Sequence, residues 1–195
     1  MKKIQSLLAI VCLMSLTSQA QKVSLGPKLG INFSSLTELP EAESRIGIQA
    51  GGFLVYSIVE HFGISADVFY SQQGANSKTD NNKLHLDYIQ IPLLANVFFN
   101  KYGDDFRPKF VIGPSLGILA SAKGELVKKD DFNSTDLGLV AGLGFNYKVG
   151  EKKWLNVDAR YGMGFSEVYK IEQPGKEVKN TYISLTIGLG FGMSE

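Results

Sequence analysis

Residues 182–193 read Tyr-Ile-Ser-Leu-Thr-Ile-Gly-Leu-Gly-Phe-Gly-Met, and their spacing decides the fold. Ile183, Leu185, Ile187, Leu189, Phe191 and Met193 occupy every second position; Tyr182, Ser184, Thr186, Gly188, Gly190 and Gly192 fall between them. A period of two sustained over twelve residues is a β-strand with one continuous apolar face and one small or polar face. The apolar row has no polar interruption and the other row carries no charge. That length and pattern suit one wall of a membrane-spanning barrel.

Working back through the chain, the same alternation recurs seven times. Val23, Leu25, Pro27, Leu29, Ile31 and Phe33 share a face in the first strand. The second runs over Arg45–Tyr56 and the third over Phe62–Gln72. The fourth covers Leu84–Phe99 and changes phase near Tyr88-Ile89, which marks a bulge. The fifth covers Lys109–Ala120 and the sixth Thr135–Val149. In the seventh, Leu155, Val157, Ala159, Tyr161, Met163 and Phe165 alternate with Asn156, Asp158, Arg160, Gly162 and Gly164. Polar loops at 34–44, 73–83, 121–134 and 166–179 alternate with short links. The expected fold is therefore an all-β, eight-stranded antiparallel up-and-down transmembrane barrel, with both termini at the short-turn end.

A soluble lipocalin-type barrel would point the same faces the opposite way. Its polar rows would meet water and carry Lys, Glu and Thr. Here they carry Gly30, Gly51, Gly113, Gly117, Gly138, Gly142, Gly144, Gly162, Gly164, Gly188 and Gly190. Glycine weakens a solvated strand, whereas in a narrow lumen it leaves room for Arg160, Tyr182 and Phe69. Aromatic residues support the same direction. Tyr56, Phe62, Tyr102, Phe106, Tyr147 and Trp154 gather at short-turn ends; Phe33, Tyr70, Tyr88, Phe165 and Tyr182 fall toward long-loop ends. The eleven steps from Trp154 to Phe165 cover roughly 28 Å at about 3.3 Å per residue and a tilt near 40°, close to the height of a lipid-facing band. Pro27, Pro92 and Pro114 fall inside strands, where each removes a ladder hydrogen bond, and bulges would accommodate them.

The front of the chain is of another kind. Lys2 and Lys3 precede an apolar run, Ile4–Leu16, and Ser18-Gln19-Ala20 has a small-x-small cleavage pattern. Residues 1–20 read as a cleaved signal peptide and 21–195 as the barrel domain. The whole chain carries a formal charge of +1; losing the two leader lysines brings it to about −1, which gives no reason to expect nucleic acid. Cys12, the one cysteine of the chain, sits in the leader, so disulfides and thiolate metal sites are not expected in the barrel. No later stretch offers 18 consecutive apolar residues for a transmembrane helix.

Several segments resemble an outer-membrane β-barrel family common in Bacteroidetes, which includes the gliding and secretion protein PorT. Leu86-Asp87-Tyr88-Ile89-Gln90-Ile91-Pro92-Leu93-Leu94 is similar to its recurrent Leu-Asp-Tyr-(Ile/Leu)-Glu-(Ile/Val)-Pro-Leu-Leu stretch, with Gln90 for the glutamate. Ala66-Asp67-Val68-Phe69-Tyr70-Ser71-Gln72-Gln73-Gly74 resembles its Pro-Glu-Leu-Leu-Tyr-Ser-Gln-Gln-Gly stretch, with Asp67 for the glutamate. Residues 28–34 and 158–164 also fit. The resemblance implies an integral outer-membrane barrel and places Pro92 within a motif; the family hosts several roles. The departures at Gln90 and Asp67 imply a rearranged inward charge pairing.

Inward-facing charges are Lys28, Asp67, Lys109, Lys148, Asp158 and Arg160, with Gln49, Gln90 and Asn156 beside them. An eight-stranded barrel is just wide enough for side chains to fill. Lys28, Asp67, Gln90, Lys109, Lys148, Asp158 and Arg160 are therefore expected to form a structural polar network; the alternative, a selectivity lining, needs a wider barrel. His85 and Asp87, with Ser71 or Asp67 opposite, are the candidates for a lipid-modifying site, yet no nucleophile stands in a recognisable motif. No catalytic, cofactor-binding or metal-ligating residue is assigned, and no cofactor is expected. The loop acids Asp80, Asp104, Asp105, Asp130 and Asp131 lack calcium-site spacing. The expected role is non-enzymatic: a monomer in outer-membrane lipid whose four outer loops meet the environment or a surface protein. The alternative is a PorT-like accessory of secretion or transport with a periplasmic partner.

Overall fold

A computed structural model describes residues 23–37, 42–77, 83–124, 129–170 and 177–192. The stretch read as a signal peptide lies outside the described residues, as does Asp80. Eight strands follow in order: β1 Val23–Leu36, β2 Ala42–Val59, β3 Phe62–Ser77, β4 Lys83–Phe98, β5 Phe106–Lys123, β6 Thr135–Gly150, β7 Lys153–Gly164 and β8 Asn180–Gly192. Each pairs antiparallel with the next, and β8 returns to β1, closing the barrel. Closure matters in lipid, because a free sheet edge would leave backbone groups with nothing to bond.

The pairing fixes the barrel's stagger. From Phe145 the ladder leads through Val157, Ile187, Leu29, Ala50, Tyr70, Ile89 and Ile118 to Thr135. One circuit therefore returns to β6 ten residues from its start, a shear of ten. For eight strands that stagger corresponds to a tilt of about 40°.

Every residue on this circuit but Thr135 is apolar, and the apolar rows face outward. Ile183, Leu185 and Ile187 are exposed, while Ser184 and Thr186 between them are buried. Ile46, Ile48, Ile64, Val68, Leu137 and Leu143 continue the outward band. The soluble-barrel alternative assigned the opposite direction. Phe62, Tyr102, Phe106 and Tyr147 stand exposed at the short-turn end, and Phe33, Tyr70 and Phe165 at the other. Tyr88 and Tyr182 do not join the outer girdle: both rings are buried in the lumen. Tyr88 is inward because β4 does not make the expected change of phase at Tyr88-Ile89: its even positions from Leu86 to Phe98 are all buried. The register shift between Asp87 and Tyr88 leaves its extra residue, Ala120, on β5.

Two further expectations about the wall are corrected. The prolines are not at bulges. The ladders lapse for two residues beside Pro27, Pro92 and Pro114, then resume in unchanged register. The strands also run further at the long-loop end than the apolar rows suggest. Ser34–Leu36, Ala42–Ser44 and Gln73–Ser77 are strand, not loop. Past the hydrocarbon a strand no longer needs an apolar outer face, so its alternation fades while its hydrogen bonds continue.

Candidate functional site in the lumen

The centre of the lumen is ionic, and all its charges come from odd-numbered strands. Lys28 stands on β1, Asp67 on β3, Lys109 on β5, and Asp158 and Arg160 on β7. Lys28 Nζ lies 2.9 Å from Asp158 Oδ2 and 3.4 Å from Asp67 Oδ2. Lys109 Nζ lies 2.8 Å from Asp158 Oδ1. The Arg160 guanidinium joins the two acids, with Nη2 2.8 Å from Asp158 and Nη1 2.5 Å from Asp67. No side chain of the five exceeds 4% exposure, so every charge here depends on its partners rather than on water.

Glycines of neighbouring strands supply the room. A Cβ added at Gly144 on β6 would collide with Asp158, and one at Gly162 with the Tyr182 ring. One at Gly188 would stand 2.8 Å from the Phe53 ring. The glycine row is thus the complement of the large inward residues, and side chains of alternate strands fill the barrel by layers.

Toward the outside lies a layer of amides and hydroxyls. Asn32, Gln49 and Gln73 each place a side-chain nitrogen 3.0–3.1 Å from Ser71 Oγ. A hydroxyl has two lone pairs and one proton, so one of these amides turns its oxygen to the Ser71 O–H. Gln73 Nε2 also donates to Gln90 Oε1 at 3.2 Å, and Gln90 Nε2 to Ser115 Oγ at 2.9 Å.

Both ends of the lumen are apolar. At the inner end Phe53, Val55 and Phe98 cluster, and the Arg107 guanidinium covers Phe98. It lies 3.9 Å from the Phe98 ring centroid and 5.3 Å from that of Tyr102, and donates to Glu60 O at 2.8 Å. At the outer end Leu36, Ala75, Leu86, Tyr88 and Leu119 form a cup. Phe132, Val168 and Val178 enter it from the β5–β6 and β7–β8 connections. Those connections bind each other: Asn133 N donates to Val168 O at 2.9 Å and Lys170 N to Asp131 O at 3.0 Å, and the Phe132 and Tyr169 rings stack at 5.2 Å. Burial raises the Tyr169 phenol above its ordinary pKa.

Of the seven residues read as a lumen network, the structure brings five together: Lys28, Asp67, Lys109, Asp158 and Arg160. Gln90 belongs to the neighbouring amide layer. Lys148 is apart from both. Its side chain is 38% exposed at the inner end, 3.6 Å from Asp105, because its row leaves the lumen there before the β6–β7 turn. The hydrolytic grouping is not assembled: Ser71 serves the amides, Asp67 the ion pairs, and His85 pairs with Gly74 rather than with Ser71, whose partner is Tyr88. Arg107, in a stretch whose pattern is that of a link, and the loop-borne Phe132, Val168 and Val178 carry no sequence pattern that marks them as lumen residues. Among the described residues no group of His, Cys, Asp and Glu could hold a metal ion.

An apolar outer wall, closed pairing and a polar, filled interior define an integral outer-membrane β-barrel. A family model described as "outer membrane protein beta-barrel domain" matches residues 18–170; the chain belongs to this family and resides in the outer membrane. Comparison with curated proteins gives no match. Among solved structures, the outer membrane protein OprG from Pseudomonas aeruginosa is similar at 16% identity and a TM-score of 0.60, over 91% of this chain and 98% of that one. Neisserial surface protein A is similar at 17% identity and a TM-score of 0.53, over 86% and 97%. At such identities the likeness is one of fold.

Proposed function

We propose that the protein is a closed, monomeric, non-enzymatic surface barrel, exported by a signal peptide cleaved after Ala20, whose outer connections engage the environment or a surface partner. The observation that carries this reading is the filling of the lumen. Arg107 and its aromatic bed close one end, the ion-pair layer crosses the middle, and the Phe132–Val168–Val178 plug closes the other. A filled eight-stranded barrel offers chemistry at its rims rather than through its bore. Planar-bilayer recording tests it: the purified barrel is expected to give no stepwise conductance, and reproducible steps would refute a closed lumen. Lipid-modification assays should show the same products before and after His85→Ala. The amino terminus of the protein extracted from outer membranes should be Gln21.

A second reading, an accessory of secretion or transport of the PorT kind, draws on the inner β4–β5 turn. It is longer than the other inner turns and well held. Asp104 Oδ2 accepts from Lys101 N at 2.9 Å, Asn100 Nδ2 donates to Phe106 O at 2.8 Å, and Gly103 takes φ +98°. Phe99 and Tyr102 are exposed on it. A photo-crosslinker at position 103 that captures one defined periplasmic protein would favour this reading; crosslinks to lipid alone would remove it.

A further inference from the structure

Two hydrogen-bonded groups in the upper lumen stop short of each other at a small cavity. On one side Asn180 Nδ2 donates to Tyr88 Oη at 3.1 Å and to Asp136 Oδ2 at 3.0 Å. On the other, the amide layer ends at Ser115 Oγ, which accepts from Gln90, and at the Tyr182 hydroxyl, which is hydrogen-bonded to Ser115 and Gln90. Between them lies a cavity of about 10 Å³ lined by Gln90, Ser115, Asp136, Tyr182, Gly138 and Gly164, among others. Asp136 is 9% exposed, and its Oδ1 is buried with no donor among the described residues. Asp136 is also without an ion pair among the described residues, unlike Asp67 and Asp158. A carboxylate oxygen buried without a donor is costly, by roughly 1–3 kcal/mol or more for a charged group.

We infer that this cavity is a binding site for one water molecule, which donates to Asp136 Oδ1 and joins it to the Ser115 and Tyr182 hydroxyls. The volume is at the lower limit for one water, and the lining offers the two to four polar partners a buried water needs. Charge balance favours a neutral occupant over a cation. The ion-pair layer holds three cations, Lys28, Lys109 and Arg160, against two carboxylates, Asp67 and Asp158. An ionised Asp136 offsets that excess; a bound metal cation would restore it. The water makes one continuous polar column from Tyr88 at the plug to Asn32 and Gln49 above the ion pairs. Gly164 is what leaves the space, since a Cβ there would stand 2.7 Å from Asp136 Oδ1.

The test uses the full barrel in lipid nanodiscs and needs no variant at first. Water-to-amide NOE spectra should show a long-lived water at the Gly138 or Gly164 amide, and a crystal of the same protein soaked in rubidium should show water density without anomalous signal at the site. Gly164→Ala, which occupies the space, should abolish the NOE; should it fail to fold, Ser115→Ala should shorten the water's residence at least tenfold by removing one partner. No long-lived water in the wild-type protein, or a rubidium peak beside Asp136, would overturn the inference.

Discussion

The middle of the lumen and its outer mouth are closed by different means. In the middle, the four odd strands deliver five charges, and register brings each within 3.4 Å of an opposite charge. At the mouth, closure depends on apolar side chains carried by connections, pressed onto a cup that the strands supply. The first is part of the wall and cannot be undone without disturbing the ladders. The second is an attachment, held by a few loop hydrogen bonds and apolar burial. The comparison separates what makes the barrel stable from what seals it.

Substitutions should divide along that line. Asp158→Ala removes the acid that three cations share and should cost about 3–5 kcal/mol, because it strands buried positive charge. Denaturant unfolding in vesicles, followed by heat-modifiable gel migration, would read the loss. Adding Lys109→Ala to that variant should recover part of it. Phe132→Ala should cost about 3 kcal/mol locally, seen as faster amide exchange at Asn133 and Lys170, while the barrel's own midpoint stays nearly fixed. An equal loss of midpoint would mean that mouth and wall unfold as one unit. At the inner end Arg107→Ala should lower stability by about 1–2 kcal/mol through the lost cover on Phe98 and Tyr102. Lys148→Ala should change it by less than about 0.5 kcal/mol, since that ion pair is solvated.

The same division explains what could be read from residue order. Strand number, face direction and the inward charges are legible because a period of two over a membrane-high wall leaves a strong mark. The phase change read at Tyr88-Ile89 is absent, because apolar residues occupy both the inward and the outward row of β4. Which charges meet is set by register around the barrel, and no single strand encodes that. Hence Lys148, in phase with the lumen rows, is absent from the cluster. The outer ends of β1 to β3 read as loop because their outer faces meet water and lose the alternation. Phe132, Val168 and Val178 lie in connections without any period, so nothing marks them as core. Arg107 stood next to a proline and a run of turn formers, and only the aromatic rings beneath it reveal its place.

The lumen is full and the wall faces lipid, and adjacent residues of β8 test both at once. Single-cysteine variants Ser184→Cys and Leu185→Cys, made in the mature chain, would be treated in intact membranes with a water-soluble and a lipid-soluble maleimide. Position 184 should resist both reagents, and position 185 should react with the lipid-soluble one alone. Ready labelling of position 184 by the water-soluble reagent would contradict the closed barrel described above.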